Sequence, residues 1–263
     1  VMDTVSDVCA LFGRHVRHIA RVPEKLISVT VMPVAYLAVF GLLFGSAITV
    51  PGGDYVQYLV AGILAQTMLM NVSSTALGVA EDLGNGLVDR FRAMPISTGS
   101  VLAARTGANT ALSAVSCVTI CAGGLVLGWR PREGLASAAA ALALLLLLGW
   151  AMSWVGAVVG LVLRANDAIT SVAFLVVLPL TFLSNAFIPL SGLPDWLATA
   201  CEWNPVSVVV AACRDLFGDL PAGSAGTGFP VQHAAPLAVT MALALAALAA
   251  PAAVRAYARA AAR

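Results

Sequence analysis

Two groups of side chains in this sequence have types and spacings that could do chemistry. The first is a charged cluster: Glu81, Asp82, Asp89, Arg90 and Arg92 stand close together, interleaved with Leu87 and Phe91 and closed by Pro95. Gly84 and Gly86 interrupt the apolar segment before it, Asn85 suits the cap of a short helix, and Pro95 stops that helix. Leu87, Phe91 and Met94 would share its apolar face with the charges as a rim, a pattern suited to docking in a partner's groove. The same residues also fit a plain membrane-surface turn whose arginines set topology. The second group is uncharged and lies inside long apolar runs: Gln66, Thr67, Asn71, Ser73 and Ser74, then Thr181, Ser184 and Asn185. Polar groups are costly in hydrocarbon, so such residues either bond between helices or line a pathway. Gln66 and Asn71 are five apart and share only part of a face. Asn185 is flanked by Phe182 and Phe187 just before an irregular segment. The candidate pathway residues are therefore Gln66, Asn71, Thr181, Phe182, Asn185 and Phe187. Phe40, Phe44, Trp150 and Trp154 could line a path for a bulky apolar ligand, with packing as the other reading.

Covalent and metal chemistry find no matching pattern. Cys117 and Cys121 are four apart, but without His or further Cys nearby they make a poor metal site and read as small packed residues. His15, His18 and His233 have no Ser, Cys or Asp at a catalytic spacing. No G-x-x-x-x-G-K-[ST] phosphate loop occurs, so an active transporter built on this chain must borrow its energy. No catalytic residue, metal or cofactor of its own is expected.

The elements that must position these residues follow from composition. Of 263 residues, 60% are hydrophobic and only 10% charged, and the mean hydropathy is +0.93. A soluble domain runs nearer a quarter charged, and disorder needs low hydrophobicity with high net charge. A net charge of +1 leaves no nucleic-acid footprint. Six charge-free runs punctuate the chain: 28 residues between Lys25 and Asp54, 26 between Asp54 and Glu81, 24 between Arg105 and Arg130, 30 between Glu133 and Arg164, 27 between Asp167 and Asp195, and 35 between Asp219 and Arg255. A bilayer core takes about 20 apolar residues per helix, so each run holds one span. The expected spans are 26–48, 55–80, 99–127, 136–162, 168–187 and 231–254. With the N-terminus inside, eleven basic residues fall on the inner side and three, Arg130, Arg132 and Arg214, outside. The positive-inside rule then places both termini in the cytoplasm. Arg105, a turn or two into its helix, can snorkel to the interface. Pro33 should kink the first span or break one of its bonds. Gly41/Gly45, Gly124/Gly128 and Gly156/Gly160 read as helix-packing pairs.

Two further segments are not plain loops. Residues 1–24 repeat apolar side chains at three- and four-residue steps and read as an amphipathic helix on the inner leaflet. Residues 188–230 carry Trp196, Leu197, Ala200 and Trp203, then Asn204-Pro205 as a cap and first turn, and Gly218 as a stop. Two helices too short to span, joined by a sharp turn, read as a re-entrant hairpin plugging the outer half of a pathway, or as an external cap.

The stretch from Glu81 to Ile96 resembles the cytoplasmic signature of ABC-2 type export permeases, most of all the daunorubicin/doxorubicin-resistance group. Asp54-Tyr55-Val56-Gln57-Tyr58-Leu59 with Gly62-Ile63, Pro179 to Asn185, and Asn204-Pro205-Val206 with Arg214 fit the same group. The resemblance implies an all-α integral membrane fold: six transmembrane helices, an N-terminal elbow helix, and a dimeric permease core in the cell (plasma) membrane. It implies two copies of a separate ABC ATPase subunit, which carry the ATP and Mg, and a second permease copy or homologue. The 81–96 loop would couple to the ATPase through Glu81, Asp82, Leu87, Asp89, Arg90, Phe91, Arg92 and Pro95. The cargo would be a hydrophobic or amphipathic small molecule or lipid, exported by alternating access. A polysaccharide or lipid-linked glycan permease and an ion-coupled carrier are the competing readings. The latter normally needs ionisable residues deep in the spans, and the six runs have none apart from Arg105 near one end.

Overall fold

The computed structural model describes residues 12–13, 23–45, 50, 54–85, 98–187, 189–190, 193–219 and 228–261. Every regular element among them is a helix: α1 (Pro23–Phe44), α2 (Tyr55–Leu69), α3 (Asn71–Gly84), α4 (Thr98–Val126), α5 (Gly134–Leu163), α6 (Asn166–Phe182), α7 (Asp195–Glu202), α8 (Pro205–Phe217), α9 (Phe229–Gln232) and α10 (Ala234–Ala261). Four are long and apolar enough to cross a membrane: α2 with α3 as one helix, Tyr55–Gly84, then Gly99–Val126, Gly134–Leu163 and Ala234–Arg259. Thirty residues make about 45 Å of helix, more than the ~30 Å hydrocarbon core. The other two charge-free runs give shorter apolar helices, Val29–Phe44 and Asn166–Phe182. Of the expected N-terminal amphipathic helix, only Phe12 and Gly13 are described, with Phe12 packed against the cluster around Val101 and Leu102.

α5 is the central post and packs most extensively on α3 and α10. The close approach to α3 follows from missing side chains. A Cβ on Gly156 would meet the Val72 carbonyl oxygen, and one on Gly160 would meet that of Ala76. A Cβ on Gly41 would make only ordinary contacts with Leu127, Val56 and Leu59, and one on Gly45 would meet the backbone of its own helix.

Pro33 lies inside α1 without ending it. Having no N–H, it leaves the Val29 carbonyl without its helical partner. The Ser116 hydroxyl of α4 donates to that carbonyl at 2.8 Å, so a neighbouring helix repairs the gap.

α6 stops at Phe182, short of the expected 187. The following residues fold into turns because their backbone finds other partners. Leu183 N–H bonds Pro179 O at 2.8 Å, and Asn185 N–H donates to Ser207 Oγ at 3.0 Å. Asn204 joins this turn to α8. Its Oδ1 accepts from Val206 N–H at 2.9 Å, capping α8, while its Nδ2 donates to the Leu180 and Leu183 carbonyls at the end of α6. Pro205 stands at the first helical position and Gly218, in the left-handed region (φ 70°), ends the helix. Though only 13 residues long, α8 is buried along most of its length.

Candidate functional site

A cleft of about 350 Å³ opens between α1, the α2–α3 junction, α4 and α6. Its position follows from a joint at Met70. The Thr67 hydroxyl bonds the Ile63 carbonyl at 2.8 Å, a back-bond that loosens the helix just before α2 meets α3. The joint brings Gln66 and Asn71 into one cavity despite their five-residue spacing.

One wall of the cleft is polar. Asn109 Nδ2 donates to Thr75 Oγ1 at 2.9 Å and Ser153 Oγ at 3.1 Å, and its Oδ1 accepts from Ser74. Asn71 Nδ2 donates to Ser113 Oγ at 2.8 Å and Gly149 O at 3.3 Å. These bonds tie α3, α4 and α5 together in an apolar setting, where an unmade bond is costly. The other wall is soft and apolar: Met32 and Tyr36 of α1, Phe174, Leu178 and Phe182 of α6, all substantially exposed. Among the described residues no acidic or basic side chain lines the cavity.

The expected pathway residues divide between two places. Gln66, Asn71, Thr181 and Phe182 line the cleft. Thr181 is buried and its hydroxyl bonds Val177 O at 2.8 Å. Asn185 and Phe187 lie outside the cleft, buried in the turn after α6. Phe187 stacks on Phe40 with centroids 5.2 Å apart. The sequence reading did not single out Asn109, Ser113 and Ser116. Their signal was available: they recur at steps of four and three, which puts them on one face of the helix.

Near one end of the bundle, Asp82 forms an ion pair with Arg105. The Arg105 guanidinium lies over Gly78, where a Cβ would collide with it. Asp82 stands in the last turn of α3, so the Arg105 side chain reaches toward the end of the bundle, where both partners are partly exposed. Glu81 is exposed. Leu87, Asp89, Arg90, Phe91, Arg92 and Pro95 fall outside the described residues.

The other end is fastened by Arg214 of α8, which is 2% exposed. Its Nε and Nη2 donate to Tyr58 O at 3.1 and 2.9 Å, and Nη2 also reaches Asn185 O at 2.9 Å and Ala186 O at 3.1 Å. The guanidinium sits 3.4 Å from the centroid of the Tyr58 ring. Five residues on, Asp219 accepts from Trp129 Nε1 at 2.8 Å. With the Gln57 amide oriented to suit its partners, its nitrogen donates to Asp219 Oδ1 at 3.1 Å and its oxygen accepts from Arg130 N–H at 2.9 Å. Burial pushes the Asp219 carboxyl up to about 7, against the opposing pull of the Trp129 indole, Arg214 and Arg132.

The protein is thus an apolar helical bundle with a charge-free, polar-walled cleft and a fastened helical segment at one end. A family model for ABC-2 type transporters matches residues 6–217. The daunorubicin resistance ABC transporter permease protein DrrB1 of Streptomyces coeruleorubidus is 29% identical over 194 residues, 74% of this chain and 69% of that protein. The probable doxorubicin resistance ABC transporter permease protein DrrC of Mycobacterium tuberculosis is 25% identical over 72% of this chain and 68% of its own length. The putative transport permease ycf38 of Porphyra purpurea is 24% identical over 82% of this chain and 76% of its own length. The family match takes in every helix that lines the cleft as well as the segment carrying Arg214, and the chain belongs to the ABC-2 type transporter family.

Proposed function

We propose that this chain is the transmembrane permease of an ATP-driven exporter that moves hydrophobic or amphipathic molecules out of the cell by alternating access. In this reading it spans the cell membrane six times with both termini inside, preceded by an interfacial elbow helix. α7 and α8 form a re-entrant hairpin at the outer end. The chain works with a second permease copy or homologue and two copies of an ABC ATPase, which bind the ATP and Mg. The observation that carries the reading is the cleft, combined with family membership. It offers hydrogen-bonding groups and aromatic side chains in a setting that is otherwise hydrocarbon-like. An ion-coupled carrier would need an acidic or basic group on that wall, and the described lining residues include none. The names of relatives, which speak of daunorubicin and doxorubicin resistance, support a drug-like cargo.

Energy enters in this scheme through residues 81–96. Closure of the two ATPases pushes on the Leu87–Met94 segment, with Phe91 as its anchor, Asp89, Arg90 and Arg92 as its rim, and Pro95 as its stop. Asp82 connects that segment to α4 through Arg105. Movement there shifts α3 and α4, two walls of the cleft. The test is ATP-driven export from vesicles holding the chain and its ATPase. Phe91→Ala or Arg92→Glu should lower export by about tenfold or more at unchanged membrane insertion, while ATP hydrolysis persists. Unchanged export by both variants would remove the coupling role.

A further inference from the structure

The polar groups facing the cleft differ in one respect that bears on what it can hold. Asn109 and Ser116 donate to other helices, and Asn71 donates across to Ser113. Gln66 and Ser73 are half-buried, line the same cavity, and have no side-chain partner among the described residues. They stand seven residues apart, on one face across the joint at Met70. Facing them are Tyr36, Phe174 and Phe182, each more than half exposed. The cleft therefore has a free amide and a free hydroxyl on one side and aromatic surface on the other.

Two alternative ligands each meet a specific cost. A purely apolar molecule would cover Gln66 and Ser73 without bonding them, leaving desolvated donors and acceptors unpaired. An anionic group would lose its hydration where no basic side chain among the described lining residues answers it, whereas a cation would meet the exposed rings of Tyr36, Phe174 and Phe182. The nearby ionic groups, Asp82 and Arg105, already neutralise each other. A neutral molecule with hydroxyl or carbonyl groups along one edge and an apolar, ring-bearing body avoids both costs. A site built to hydrogen-bond a ligand discriminates strongly against an analogue lacking the group. The volume of about 350 Å³ suits a ring system of modest size rather than an extended polymer.

We propose that this cleft selects amphipathic molecules with a hydroxyl- or carbonyl-bearing edge, bonded by Gln66 and Ser73, and disfavours anions. The proposal rests on the export reading in taking the cleft as the cargo site.

The test uses the full chain in phosphatidylcholine nanodiscs and four probes with one pyrene body. They carry a glucosyl group, a propyl group, a trimethylammonium group or a sulfonate. Binding is read by fluorescence anisotropy against empty nanodiscs, which subtracts partition into lipid. The glucosyl probe should bind about tenfold more tightly than the propyl and sulfonate probes. Gln66→Leu with Ser73→Ala should erase that preference and leave the propyl probe's Kd within about twofold. Gln66→Glu, nearly isosteric, should shift the preference to the trimethylammonium probe and so tests the site without removing a side chain. Equal binding of all four probes by the unmodified chain, or a glucosyl preference that survives both variants, overturns the proposal. The two readings fail separately. ATP-driven efflux of the probes by the chain with its ATPase, but without preference, sinks this proposal alone. A Gln66-dependent preference without any ATP-driven efflux sinks the export reading.

Discussion

Ser116 is a small residue whose role depends on a proline one helix away. Pro33 cannot donate to the Val29 carbonyl, and Ser116 Oγ replaces the missing donor. Ser116→Ala should leave that carbonyl unbonded in an apolar setting and lower stability by about 1–3 kcal/mol. Adding Pro33→Ala restores a backbone N–H at the right place, so the double variant should recover much of the loss. Thermal unfolding of the purified chain in detergent reads both effects, and additive losses would mean the two residues are not linked. Asp219 supports a different prediction. Its folded-state value of about 7 lies above the ordinary 3.8 because burial disfavours the carboxylate. The folded state therefore holds the proton more tightly than the unfolded chain. The stability this contributes is complete below pH 3.8 and is lost as pH rises through about 7. Asp219→Asn keeps an oxygen for the Trp129 indole and carries no charge. It should flatten the fall in Tm between about pH 5 and pH 8 and be the more stable form at the upper end. A parallel fall in both proteins would show that another group sets the slope.

At the scale of elements, α5 meets α3 through Gly156 and Gly160, where backbones approach too closely for a side chain. Gly160→Val should force α5 off Ala76, widen the bundle beneath the cleft, and cost about 1–3 kcal/mol, measured as lost Tm and yield. The same substitution at Gly84, where a Cβ meets nothing, should be tolerated by the helix contacts. This contrast also shows what could be read in the chain before its fold. The helices were legible because charges are so sparse that each apolar run stands alone, and the cap at Asn204 followed from Asn-Pro. Gly156/Gly160 was legible as a packing pair but its partner was not, since spacing within one helix does not say which neighbour it meets. The same limit hid the Asn109–Ser153 bond, which joins residues from separate runs. Gln66 and Asn71 looked mismatched on an ideal helix, yet the joint at Met70 brings both into one cavity. Asn185 looked like a pathway residue because of its phenylalanine neighbours. Its backbone bonds Ser207, Tyr58 and Arg214, contacts made by distant elements that local spacing does not announce, while its side-chain Oδ1 is buried without a partner among the described residues.

For the whole molecule, the question is which end faces the energy source. The described charges are unequally placed. The end holding Asp82, Arg105 and Tyr257 also gathers Arg164 after α5 and Arg255 and Arg259 on the last turns of α10. The other end holds Arg130, Arg132 and the buried Arg214. Basic residues near the ends of spans set orientation during insertion, so the Arg105 end should lie in the cytoplasm. A membrane-impermeant maleimide decides the point. The four described cysteines are buried or half-buried, so Cys9→Ser gives a quiet background. In that background Arg132→Cys should label in intact spheroplasts, and Arg164→Cys only in inverted vesicles. The outcome reaches beyond topology. The 81–96 segment follows directly on α3 at the Arg105 end, so it can meet an ATPase only if that end is inside. Labelling of Arg164→Cys from outside would turn the segment away from any source of ATP. The export mechanism would then fall together with the orientation, whatever the cleft binds.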